Sequence, residues 1–190
     1  MSKTKTIDLT SGPILKTLAE LALPIMASSL LGTAYNITDM AWIGMLGSKA
    51  VAGVGVGGMY VWLSQGLVAL PRMGGQVNVA QACGRGDYEQ ARGYAASALR
   101  LTFLLGILFA AVCIVFIHPL LGFFNLGDAE TYTAAKLYTL ITCGLILFSF
   151  LNLTLTGLST AQGDSKTPLM ANLLGLVGNM ILDPILILGF

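Results

Sequence analysis

The sequence predicts an all-α polytopic membrane protein of about five transmembrane helices, on three observations. First, 55% of its 190 residues are hydrophobic and 10% are charged, where soluble domains carry about a quarter. Mean hydropathy is correspondingly high, at +0.80. Second, the apolar residues fall into five runs of about twenty residues or more, each long enough to cross a hydrocarbon core of about 30 Å. Third, short polar, Gly- or Pro-bearing breaks separate the runs: Gly47-Ser48-Lys49, Gly84-Arg85-Gly86-Asp87, His118-Pro119 and the stretch from Gln162 to Pro168. A net charge of +1 leaves no basic field for nucleic acid. Cys83, Cys113 and Cys143 lack metal-ligand spacing, lie in or beside apolar segments, and read as small hydrophobes.

Residues 1–15 form a polar lead with Lys3 and Lys5 and no cleavable signal core. Ile14, Leu15 and Leu18 are expected to form the apolar face of a short interfacial helix, with Lys16 near the headgroups. The first span covers residues 18–46. It contains Pro24 and Gly32, and after Glu20 its buried charge is Asp39.

The second span, 51–83, holds Gly53, Gly55, Gly57, Gly58, Gly66, Gly74 and Gly75, which permit close helix approach. It also holds Arg72, directly after Pro71, an unusual place for a cation. The third span, 94–117, has Arg100 near its start and is closed by His118-Pro119; His118 reads as an interfacial polar tip. A loop with Asp128 and Glu130 leads to the fourth span, 137–161. The fifth, 168–190, opens at Pro168, a residue suited to a first helical turn. The chain stops at the edge of this span without a charged flank, which predicts a truncated chain.

Lys and Arg counts set the orientation. Lys3, Lys5, Lys16, Arg85, Arg92 and Lys166 fall on one side, and Lys49 and Lys136 on the other. The N-terminus is therefore expected in the cytoplasm.

The candidate site centres on Asp183, in Asn179-Met180-Ile181-Leu182-Asp183-Pro184. An ionised carboxylate in such a run costs roughly 2.5–3.5 kcal/mol on insertion scales, and its default reading is functional. Asn179 lies one turn earlier on the same face. Pro184 has no N–H and frees the carbonyl of Met180. Carboxylate, amide and carbonyl together suit a proton or a small hard cation; the alternative is a Pro-kinked helix whose Asp caps freed backbone groups. Asp39 lies seven residues before Leu46 and Asp183 seven before Phe190. Both are thus about 10 Å below the outer ends of their spans, and share one depth if the helices are neighbours.

Tyr35 and Asn36 precede Asp39 by one turn. Asn152, Thr156 and Asn172 extend a polar lining, each also readable as an interhelical hydrogen bond worth about 0.6 kcal/mol. Two carboxylates in a low dielectric do not both ionise cheaply, so the pair suits H⁺ exchange; with Asn179 and carbonyls it also suits Na⁺. No cofactor is expected beyond that coupling ion. Pro24 and Pro184 are expected bending points.

The stretch Tyr35-Asn36-Ile37-Thr38-Asp39-Met40-Ala41-Trp42-Ile43-Gly44 resembles the first helix of the multidrug and toxic compound extrusion (MATE) family. Gln81-Ala82-Cys83-Gly84-Arg85-Gly86-Asp87 is similar to its Gly-rich loop. Ala161-Gln162-Gly163-Asp164-Ser165-Lys166-Thr167-Pro168 resembles its fourth-to-fifth loop, and the motif from Asn179 to Pro184 its fifth helix. The resemblance implies that residues 1–190 are an N-terminal lobe fragment, the first five helices of a twelve-helix, two-lobe transporter fold. It further implies a plasma-membrane antiporter that exports organic, often cationic, drugs against H⁺ or Na⁺ by alternating access. Asp39, Asn179 and Asp183 match the family's ion site. The implied partners are small-molecule drugs, the bilayer and a missing C-terminal lobe, without which residues 1–190 are expected to insert but not to transport.

Three rivals stand beside this reading. A lipid-linked precursor flippase calls for an Arg-rich cavity, and Arg72 and Arg100 are the intramembrane candidates. A non-transporting half-transporter would only pack with another chain. An intramembrane aspartyl protease is suggested by the G-x-G-D of Gly84 to Asp87, but that Asp sits in a polar loop beside Tyr88, Glu89 and Arg92, so no enzyme is expected.

Overall fold

The computed structural model describes residues 14–188, all of whose regular elements are α-helices. Lys3 and Lys5 lie outside the described residues, as do residues 189–190 of the expected fifth span. The helices are α1 (Ile14–Met45), α2 (Ser48–Gly84), α3 (Tyr88–Val115), the short α4 (Ile117–Gly122), α5 (Ala129–Gly144), α6 (Ile146–Ala161) and α7 (Lys166–Leu188). Among the described residues α1, α2 and α3 are long and apolar enough to cross a membrane, and α5 and α6, bent by 45° at their break, are together long and apolar enough for a fourth span. The 23-residue α7 occupies the stretch read as the fifth span.

Three expectations are corrected. Among the described residues Ile14, Leu15 and Leu18 do not form a separate interfacial helix: α1 runs unbroken from Ile14 through Pro24. The reason is local, because Leu15 to Leu23 consists almost wholly of strong helix formers. The fourth span is not one straight helix. It breaks at Leu145, just after Gly144, a residue with low helix propensity that leaves the turn without side-chain support. His118-Pro119 does not lead directly into a loop either. The pair begins α4, where Pro119 sits in a first turn that has no need of its N–H.

The 37-residue α2 is the central mast. It packs against α3, α5 and α6, and three buried clusters follow its length. Near Gly84, Val79 and Ala82 meet Ala91, Ala98, Leu158 and Ala161. At mid-length Val68 meets Ala110, Ile146 and Phe150. Toward Ser48, Val56 and Tyr60 border Ile117, Leu121 and Ala135.

Only part of the glycine run serves this packing. A Cβ on Gly53 would stand 2.9 Å from Ala134 Cβ, one on Gly57 2.5 Å from the Tyr138 ring, and one on Gly75 2.6 Å from Ala98 Cβ. Gly55, Gly58, Gly66 and Gly74 meet nothing within 4 Å. A buried Thr102–Thr154 hydroxyl pair, 2.9 Å apart, ties α3 to α6.

The loops fall at opposite ends of the mast. Lys49 Nζ lies 2.6 Å from Glu130 and 3.4 Å from Asp128, so the α1–α2 turn and the start of α5 share one end. Gly84 to Asp87 forms the other end, where Asp87 accepts the Gln90 N–H at 2.9 Å and caps α3. The Asp of the G-x-G-D is therefore an exposed helix cap. Finally, α1 packs chiefly along α7, and the pair touches α2 and α6 only narrowly.

Candidate functional site at the first and last helices

Most small polar groups of α1 are satisfied within the helix. The hydroxyls of Ser29, Thr33 and Thr38 donate to the carbonyls of Ile25, Ser29 and Ala34 at 2.9–3.1 Å. Tyr35 and Asp39, half-buried and one turn apart, reach outward instead. The Asn179 amide of α7 donates to the Tyr35 hydroxyl at 3.1 Å. One turn further along each helix, Asp39 and Asp183 lie within electrostatic reach of each other. The neighbourhood of α1 and α7, which the shared depth required, is thus present.

Asp183 is half-buried, and its Oδ2 is wholly buried with no hydrogen-bond partner among the described residues. A buried acceptor left without a donor costs free energy comparable to a lost hydrogen bond or more. A proton or a cation at that oxygen removes the cost. The donors gathered here are carboxylate, hydroxyl and amide oxygens, which suit a proton or a hard monovalent cation rather than a thiolate- or imidazole-seeking metal. Among the described residues no three His, Cys, Asp or Glu side chains converge as a metal-binding group. The side chain of Pro184 lies outside the described residues, and α7 continues through that position.

The supporting residues divide. Asn152 of α6 points its Nδ2 at Asn172 Oδ1 of α7, 3.4 Å away, making a second polar layer seven residues deeper than Asn179. Thr156 is half-buried on α6, and its carbonyl accepts the Thr160 hydroxyl at 2.9 Å. Asn36 is exposed and is not drawn into the group.

One residue escaped the sequence reading. Tyr138 of α5, half-buried against Gly57, lies within electrostatic reach of both Asp39 and Tyr35. It brings the mast side of the molecule to a group otherwise built on α1 and α7. The available signal was a phenol in a short helix that also carries Thr131, Thr139 and Thr142, among apolar neighbours.

Comparison with known proteins bears on the family and the fold. A family profile described as MatE matches residues 24–185. The chain is 29% identical over 177 residues to the "Probable multidrug resistance protein NorM" of Thermotoga maritima, covering 93% of this chain and 38% of that one. It is 26% identical over 181 residues to the "FAD transporter" of Shewanella oneidensis, covering 95% and 40%. A solved structure of a MOP superfamily transporter from Pyrococcus furiosus superposes with a TM-score of 0.84 at 26% identity, covering 97% of this chain and 41% of the other. The chain therefore spans about two-fifths of the length of the relatives it matches.

Proposed function

The chain belongs to the MatE family, and on that premise we propose that it supplies the ion-binding lobe of a cation-coupled multidrug efflux antiporter. The observation that carries the reading is the buried, unpartnered Asp183 Oδ2 opposite Asp39, beside the Tyr35–Asn179 bond. Its relatives are transporters rather than enzymes. Binding of H⁺ or Na⁺ at the pair removes like-charge repulsion between α1 and α7, and release restores it. Ion occupancy thereby biases how the α1–α7 pair sits against the mast, where Tyr138 lies within electrostatic reach of the same group. Organic cargo leaves through a cavity completed by a second lobe, in alternation with the ion. The first layer, with Asn179, sits toward the outer face and the N-terminus faces the cytoplasm of a plasma membrane.

The test is cargo efflux from proteoliposomes holding a chain with both lobes, driven by an imposed pH or Na⁺ gradient. Cationic dyes and, because one relative is named for it, FAD make up the cargo panel. Gradient-independent efflux of every cargo would reject the coupling. The gradient that works names the ion.

A further inference from the structure

A second charged group, away from the carboxylates, has no assigned purpose. Arg72 lies inside α2, 12 residues from Gly84 and 24 from Ser48, at about 18 Å and 36 Å from those ends. A guanidinium keeps its charge and offers five N–H donors but no acceptor. Intramembrane cations of this kind pair with an acid or line a substrate path. Arg72 has no acid: the ion pairs among the described residues join Lys49 to Asp128 and Glu130. Its Nε is buried without a hydrogen-bond partner.

The facing helix makes room for this side chain. A Cβ on Gly157 of α6 would lie 3.1 Å from Arg72 Cγ and 3.3 Å from Gln76 Oε1. The missing side chain at Gly157 thus lets Arg72 and Gln76, one turn apart on α2, pack directly against α6. Arg72 brings N–H donors and a permanent positive charge, and Gln76 brings an amide with its oxygen toward Gly157. The group that complements a charged fork and a neighbouring amide is an oxyanion.

We propose that Arg72 and Gln76, packed against Gly157, form an oxyanion-binding point for a phosphate or carboxylate group. It lies on α2 and α6, whereas Asp39 and Asp183 lie on α1 and α7, so it stands or falls independently of ion coupling. The phosphate has two sources, a lipid headgroup or a solute.

The experiment uses the full chain in phosphatidylcholine nanodiscs. Inorganic phosphate is titrated by calorimetry, and a parallel preparation containing phosphatidylglycerol is read for retained lipid by native mass spectrometry. Native protein is expected to bind one probe, Arg72→Gln to weaken it at least roughly tenfold, and Arg72→Lys to keep part of it. Saturable phosphate binding assigns a soluble oxyanion; retained phosphatidylglycerol without phosphate binding assigns a headgroup. Gly157→Ala keeps the charge but crowds Arg72 Cγ and Gln76 Oε1, and is expected to weaken the same probe. If Arg72→Gln does not fold, Gly157→Ala and Arg72→Lys decide. Binding of neither probe by native protein overturns the proposal, as does binding by these variants equal to native.

Discussion

Asn179 donates its amide to the Tyr35 hydroxyl at 3.1 Å, joining residues 144 positions apart in the chain. That bond ties α7 to α1, and one turn further on Asp39 and Asp183 lie within electrostatic reach of each other. The relationship gives each residue a distinct expected phenotype.

Asp183→Asn in a chain with both lobes retains shape and hydrogen bonding but removes the exchangeable charge. Uphill, gradient-driven efflux is expected to fall to background while membrane abundance stays normal, and Asp39→Asn to do the same. Asn179→Ala removes one neutral partner and should lower efflux only several-fold. If Asp183 merely capped backbone, Asn would serve as well; near-native efflux by Asp183→Asn therefore eliminates the exchange role.

Sidedness is tested by labelling. Asp87 and Asp128 each cap a helix, so cysteines at their neighbours Glu89 and Ala129 report the same loops without removing a cap. In a background without Cys83, Cys113 and Cys143, an impermeant maleimide added outside is expected to label position 129 and spare position 89. Equal labelling would sink the orientation.

The glycines of α2 should separate sharply. Gly57→Ala forces a methyl against the Tyr138 ring and the Thr139 hydroxyl and is expected to cost about 1–3 kcal/mol. Gly55→Ala meets nothing and is expected to be neutral or to stabilise by up to about 1 kcal/mol. Thermal unfolding in detergent reads both. Equal effects would mean that Gly57 is not a packing contact.

Acid should weaken the loops, whereas neutral pH leaves them intact. The Thr131 N–H and hydroxyl, with Lys49 beside them, hold the Asp128 carboxyl below its ordinary range. Burial pushes Asp164 up, but donors from Thr167 and Lys166 outweigh it and the net direction is down. A carboxyl depressed in the folded state stabilises above its unfolded value of about 4 and loses that contribution as pH falls through the folded value. The unfolding temperature is expected to hold from about pH 8 to 5 and drop below about pH 4, with a smaller drop in Asp128→Asn. An acid-side drop unchanged by Asp128→Asn would remove that residue from the account.

The helices were legible because an apolar run of membrane length has few other folds open to it. Asp39 and Asp183 stood out for the same reason, as charges in runs that otherwise exclude them. Their apposition was only conditional in the sequence, since neighbourhood between the first and last helices is set by contacts far apart in the chain. The break at Leu145 was hidden because Gly144 in an apolar run reads the same whether the helix bends or not. Composition likewise does not tell the packed face of α2, with Gly53 and Gly57, from the open face, with Gly55 and Gly58. Tyr138 looked like any aromatic near a membrane surface until α5 was placed against α2.

The pairing of α1 with α7 has a consequence for biosynthesis. At ~5–20 residues per second, the ribosome needs on the order of ten seconds to make the segment between Tyr35 and Asn179. Through that interval α1 must reside in the bilayer before its principal mate has been made. Its back-bonded Ser29, Thr33 and Thr38 need no neighbour, and exposed Leu23, Met26, Leu30 and Ile37 are at ease in lipid. Asp39 is the exception. The nascent chain therefore holds Asp39 in the bilayer without its counterpart until α7 emerges.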